Sequence, residues 1–127
     1  MPWAYEDSYF IDRGTKEGVV NLTDNLVLDQ QGGQYRASGR FTTELLRLPP
    51  DGFFAEIKYE RRTPQGTALR VNILNRSGKL IKKDLPCGGI LKLREAVRLE
   101  FVFSTSDRSV TPTLDSYSLS FRQIPGK

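Results

Sequence analysis

Thr111-Pro112-Thr113-Leu114-Asp115-Ser116-Tyr117-Ser118-Leu119-Ser120-Phe121 is a long strand-like run near the end of the chain, and Val97-Arg98-Leu99-Glu100-Phe101-Val102-Phe103 leads into it across a polar turn. The earlier run largely alternates apolar and polar residues, the period of a strand with one face buried. Two such strands, the second close to the last residue, point to a compact β-sandwich closing on itself. In the later run Leu114 is out of phase with Tyr117, Leu119 and Phe121. One extra residue near Asp115-Ser116 restores the phase, which predicts a β-bulge there.

Working back from that pair, alternation continues. Ala55, Ile57 and Tyr59 alternate with Glu56, Lys58 and Glu60, and Leu69, Val71 and Ile73 alternate with Arg70 and Asn72. Turn chemistry separates the runs: Pro49-Pro50-Asp51-Gly52, Thr63-Pro64-Gln65-Gly66, Asn75-Arg76-Ser77-Gly78 and Pro86-Cys87-Gly88-Gly89. A strand is expected over Phe41–Leu48, and shorter ones over Val19–Leu22, Leu26–Asp29 and Lys79–Lys83. The one helical candidate, Leu91–Ala96, is too short and begins with period two. Strands at intervals of roughly 8–15 residues with turns between them indicate an all-β chain, an antiparallel two-sheet sandwich or jelly roll.

Size and composition fit this. The 127 residues read as a single module, 1–127. Hydrophobic residues make up 38% of the chain, and no apolar run approaches the ~20 residues of a spanning helix. Met1–Asp7 has neither a basic nor an apolar signal region. There is no histidine, which removes the Ser-His-Asp triad and any His-activated Cys87 nucleophile. Strand-surface Glu56, Glu60 and Glu100 sit among lysines and arginines, which favours ionised carboxylates and disfavours a general acid. The chain therefore reads as a binding or scaffolding protein, not an enzyme. Residues 1–60 hold 6 Lys and Arg against 10 Asp and Glu, a balance of −4, and residues 61–127 hold 13 against 5, a balance of +8. Such a balance allows anionic partners. Nucleic acid is disfavoured, because the sequence offers no RNP-like aromatic pair and no recognition helix.

Residues 34–121 carry a recurring pattern: Tyr35, Gly39-Arg40-Phe41-Thr42-Thr43, then Thr63-Pro64-Gln65-Gly66-Thr67 before an Arg-Val-Xaa-Ile strand, then Thr111 to Leu119. This resembles the galactose-binding-like and carbohydrate-binding-module group of jelly-roll accessory domains attached to secreted and surface enzymes. The resemblance implies a non-catalytic module of a longer extracellular or cell-surface chain, whose partner is a polysaccharide. It also implies no cofactor beyond a structural Ca²⁺, for which Asp115 in the final strand and Asp7 or Glu6 near the first occupy matching positions. The same pattern fits a structural or protein-interaction domain of a surface or phage assembly.

Sugar recognition needs apolar faces for pyranose C–H groups and planar polar groups for hydroxyls. Lys58, Arg70, Asn72, Arg98 and Arg122 fall on polar strand phases. If their strands neighbour one another in one sheet, they make a polar, slightly basic cleft, and the guanidinium fork makes acidic sugars plausible ligands. Pairing such as Arg98 with Glu60 is the plainer use of the same charges. Trp3 and Tyr35 are the candidates for a stacking platform at a loop edge. Phe101, Phe103, Tyr117, Leu119, Phe121 and Tyr59 fall on apolar phases and are expected in the core.

Overall fold

The computed structural model describes residues 5–9, 14–22, 25–46, 53–86, 88–93 and 96–123. Among them lie thirteen strands and no helix. The strands are β1 (Tyr5–Tyr9), β2 (Gly14–Glu17), β3 (Val19–Leu22), β4 (Asn25–Leu28), β5 (Gln30–Gln31), β6 (Gln34–Tyr35) and β7 (Ser38–Thr43). There follow β8 (Phe53–Arg62), β9 (Thr67–Asn75), β10 (Leu80–Lys82), β11 (Gly89–Leu93), β12 (Val97–Thr105) and β13 (Thr113–Gln123).

Two antiparallel sheets carry the fold. The first runs β11-β8-β13-β4-β3, with β1 also pairing β13; the second runs β10-β9-β12-β7-β2. From β7 onward successive long strands alternate between sheets, the winding of a jelly roll. The helical candidate at Leu91–Ala96 is instead strand β11, paired with β8 from Gly89 opposite Ile57 to Leu93 opposite Phe53. The two runs that decided the reading, β12 and β13, lie in different sheets, so the polar turn between them crosses the sandwich.

The core lies between the sheets and follows the alternation. In β12 Val97, Leu99, Phe101, Phe103 and Thr105 are buried, and each residue between them is half-buried. From the first sheet Leu26, Leu28, Ala55, Ile57, Tyr59, Leu114 and Tyr117 meet Phe41, Leu69, Val71, Ile73, Leu99, Phe101 and Phe103 of the second. Phe101 is the hub. Its ring centroid lies 6.0 Å from Phe41, 5.3 Å from Tyr117 and 6.3 Å from Tyr59, the last edge-on. Each such burial contributes about 1.5–3 kcal/mol. The side chains of Leu119 and Phe121 lie outside the described residues, as does Cys87.

The expected bulge is present. The β13–β8 register shifts between Leu114 and Ser116, which lets Leu114 and Tyr117 both point inward. A second irregularity was not foreseen. Strand β7 ends at Thr43 rather than Leu48, and Leu46 then bridges Val97. Glu100 pairs Thr42, so an unbroken ladder would place residue 45, not 46, opposite Val97. The surplus residue leaves the Leu99 amide without a backbone acceptor, and the buried Thr43 hydroxyl accepts from it at 3.0 Å.

At one open side a strap from Lys83 to Pro86 closes the gap between β8 and β9. Leu85 is buried there; its amide donates to Val71 O at 2.7 Å and its carbonyl accepts from the Tyr59 hydroxyl at 2.8 Å.

Candidate functional site

The outer face of the second sheet follows from register. One row crosses β2, β7, β12 and β9 as Thr15, Thr42, Glu100 and Asn72. The next row is Glu17, Arg40, Val102 and Arg70. Beyond them lie Ser38, Ser104 and Ala68 on one side, and Arg98 with Leu74 on the other. No aromatic residue stands in these rows.

A chain of hydrogen bonds locks the centre of the face. Arg40 Nε donates to Glu17 at 2.5 Å and Arg40 Nη1 donates to Glu100 at 3.2 Å. Asn72 Nδ2 donates to the other Glu100 oxygen at 2.9 Å, and Asn72 Oδ1 accepts from the Asp84 amide at 3.0 Å. Glu100 is well covered, with its side chain 13% exposed, while that of Arg40 is 50% exposed. The Arg40 guanidinium is held above its ordinary pKa, first by the Glu17 hydrogen bond and charge, then by Glu100. Guanidinium, carboxylate and amide groups thus orient one another across the face.

Two cations on this face are less committed. Arg70 is exposed beside Val102 and makes no ion pair among the described residues. Arg36, just after β6, uses its backbone amide on Asp29 O at 2.8 Å and is itself exposed. A groove of about 440 Å³ opens between Arg36 and Arg40 and is lined also by Glu17, Gly18, Ser38, Gly39 and Val102. The two glycines in its lining leave little room for side chains of their own. Gly18 has φ +72°, and a Cβ on Gly39 would stand 2.7 Å from the Gly18 carbonyl oxygen.

The sequence candidates divide between the two outer faces. Arg70, Asn72 and Arg98 share the second sheet, as expected, and Arg98 Nη1 donates to Thr43 O at 3.1 Å. Lys58 and Arg122 do not join them. Lys58 pairs Ser118, and Arg122 pairs Phe54, both in the first sheet, whose outer face is on the other side of the sandwich. The single cleft is therefore corrected to the second sheet alone, because β8 and β13 pair with each other and not with β9 or β12. The Arg98–Glu60 pair fails for the same reason, and Glu100 is bonded to Arg40. Tyr35 is half-buried and packs against the core, while its carbonyl accepts from Arg108 Nε at 2.6 Å. Trp3 lies outside the described residues.

Asp115 and Asp7 are not brought together. Asp7 pairs Leu119 in β13. Asp115 sits four residues earlier on that strand, about 13 Å away at 3.3–3.4 Å per residue. At the bulge Asp115 is ion-paired with Arg62 at 3.1 Å. Among the described residues no group of three or more His, Cys, Asp and Glu is placed to hold a metal ion.

Sequence reading missed Arg36, Ser38, Arg40 and Glu17. Arg40 and Thr42 do flank the apolar Phe41, so their outward phase was the available signal. The two-sheet, all-antiparallel architecture fits the carbohydrate-binding-module type of sandwich that the sequence resembles. No family model matches this sequence, and no curated protein matches it. Among solved structures the chain is similar to a xylan-binding module CBM15, with 11% identity over 94% of this chain and 97% of that chain and a TM-score of 0.47.

Proposed function

We propose that this domain is a non-catalytic carbohydrate-binding module of an extracellular or cell-surface chain. It holds a polysaccharide across the outer face of the second sheet. The observation that carries this reading is the hydrogen-bonded network of planar polar groups, Arg40, Glu100 and Asn72, spanning two neighbouring rows with Arg70 and Arg98 beside it. Groups already locked in place lose little freedom on binding, which is where open sugar sites lose most affinity. Without an aromatic platform, the apolar face of a pyranose rests on Val102 and on guanidinium planes, and the positive balance of the face favours acidic chains over neutral ones.

Neutral polysaccharides are expected to bind in the high micromolar to millimolar range, roughly −4 to −6 kcal/mol. Acidic ones bind more tightly and weaken with salt, since exposed charges are screened beyond about 8 Å at physiological ionic strength. Affinity electrophoresis over a panel of soluble polysaccharides measures both. Arg70→Ala should lower retention while leaving the melting temperature within the range of ordinary surface changes, about 0.5 kcal/mol. Retention of no polysaccharide at all would overturn the reading. A protein-docking module would then be the better account, favoured by Leu22, Leu80 and Ile81 standing 60%, 51% and 49% exposed on edge strands.

A further inference from the structure

We infer that the groove between Arg36 and Arg40 is a seat for the carboxylate of a uronic acid residue within an acidic polysaccharide. This inference rests on the proposed carbohydrate-binding function and assigns one subsite within it.

The groove offers four things that such a residue needs. Its volume, about 440 Å³, falls in the range of small-ligand sites, roughly 300–1,000 Å³. Gly39 in its lining has no room for a Cβ, which would stand 2.7 Å from the Gly18 carbonyl oxygen, and the Arg36 stem lies over Gly18, so the floor is backbone and the aliphatic part of Arg36. Its walls present the hydroxyl of Ser38 and the half-buried apolar surface of Val102, one for a sugar hydroxyl and one for ring C–H groups. Its two cations differ in what they can do. Arg40 has two donors engaged by Glu17 and Glu100 and acts as a fixed wall. Arg36 has no carboxylate partner among the described residues, so its fork is available for two parallel hydrogen bonds to a carboxylate. Glu17, on the Arg40 side, repels an anion that strays from Arg36. That asymmetry gives the carboxylate one orientation rather than a diffuse attraction.

An acidic peptide presents carboxylates too. The groove reaches the sheet edge, where Glu17 of the edge strand β2 lines it, so backbone pairing does not separate the two ligands. The Ser38 hydroxyl and the Val102 surface beside the same fork match the hydroxyl and C–H groups of a sugar ring and favour a sugar.

Isothermal titration calorimetry on the whole chain decides the matter, with polygalacturonate, the same polymer methyl-esterified, and polyglutamate as probes. Wild type should bind the acid form at least tenfold more tightly than the ester. Arg36→Gln, which keeps the stem lying on Gly18, should remove most of that tenfold and leave the ester affinity unchanged. Arg36→Lys should recover only part, because an ammonium cannot make the paired contact. Equal affinity of wild type for the acid and ester forms overturns the carboxylate subsite, as does an unchanged acid affinity in Arg36→Gln while Arg70→Ala weakens both forms. In either case the polysaccharide function still stands. Polyglutamate binding as tightly as polygalacturonate also overturns it, leaving a general polyanion surface. If wild type binds neither polysaccharide form, the broader function fails, and this subsite fails with it.

Discussion

At the scale of single residues, hydroxyls and carboxylates settle local structure that no alternation pattern shows. Asp107 lies in the turn between β12 and β13. Its Oδ1 accepts from the Ser109 hydroxyl at 2.6 Å and from the Ser109 amide at 3.0 Å. These bonds, hydroxyl first and amide second, hold the Asp107 carboxyl below its ordinary pKa of 3.8. A lowered folded-state pKa stabilises the fold above the unfolded value, and the contribution is lost as pH falls through the folded value. A pH titration followed by side-chain carboxyl NMR should give Asp107 a midpoint below 3.8, and Ser109→Ala should move it upward. A midpoint unmoved by that substitution would mean that the hydroxyl bond is absent in solution. The turn was legible in Ser106-Asp107-Arg108-Ser109. Arg40 was harder to read: its two carboxylate partners, Glu17 and Glu100, lie 23 and 60 residues away in sequence. Only strand pairing sets which of several carboxylates an arginine meets.

At the scale of elements, the alternation in β8, β9 and β12 was legible because burial between two sheets imposes period two on every long strand. The bulge at Asp115 was legible for the same reason, as a break in phase within one strand. The irregularity after β7 was not, since it depends on a partner strand 56 residues away, where the Thr43 hydroxyl replaces the backbone acceptor that Leu99 lacks. Thr43→Val keeps shape and burial and removes the acceptor. It should destabilise the fold by about 1–3 kcal/mol, the cost of an unsatisfied buried amide. Denaturant unfolding measures this. A loss under about 0.5 kcal/mol, within the range of neutral surface changes, would show that the Leu99 amide finds another partner.

At the scale of the molecule, the sequence pointed to two sheets but did not say which strand belongs to which. That assignment decides whether Lys58 faces the same ligand as Arg70, and no local pattern carries it, because outward residues of both sheets obey the same period. The topology has a further effect, on the order of assembly. Strand β13 lies inside the first sheet, with β8 along one side and β4 and β1 along the other. Among the described strands it is also the last in chain order. Until residues 113–123 leave the ribosome, β8, β4 and β1 have no common neighbour, while the second sheet already has every strand it needs. At about 5–20 residues per second, a growing chain therefore passes through an interval, after β12 emerges and before β13 does, in which the second sheet can form with its apolar face uncovered. A chain ending at Val110 should keep strand-rich circular dichroism but bind a hydrophobic dye and lose cooperative melting. A sharp, dye-free transition from that truncated chain would mean that the first sheet can form without its central strand.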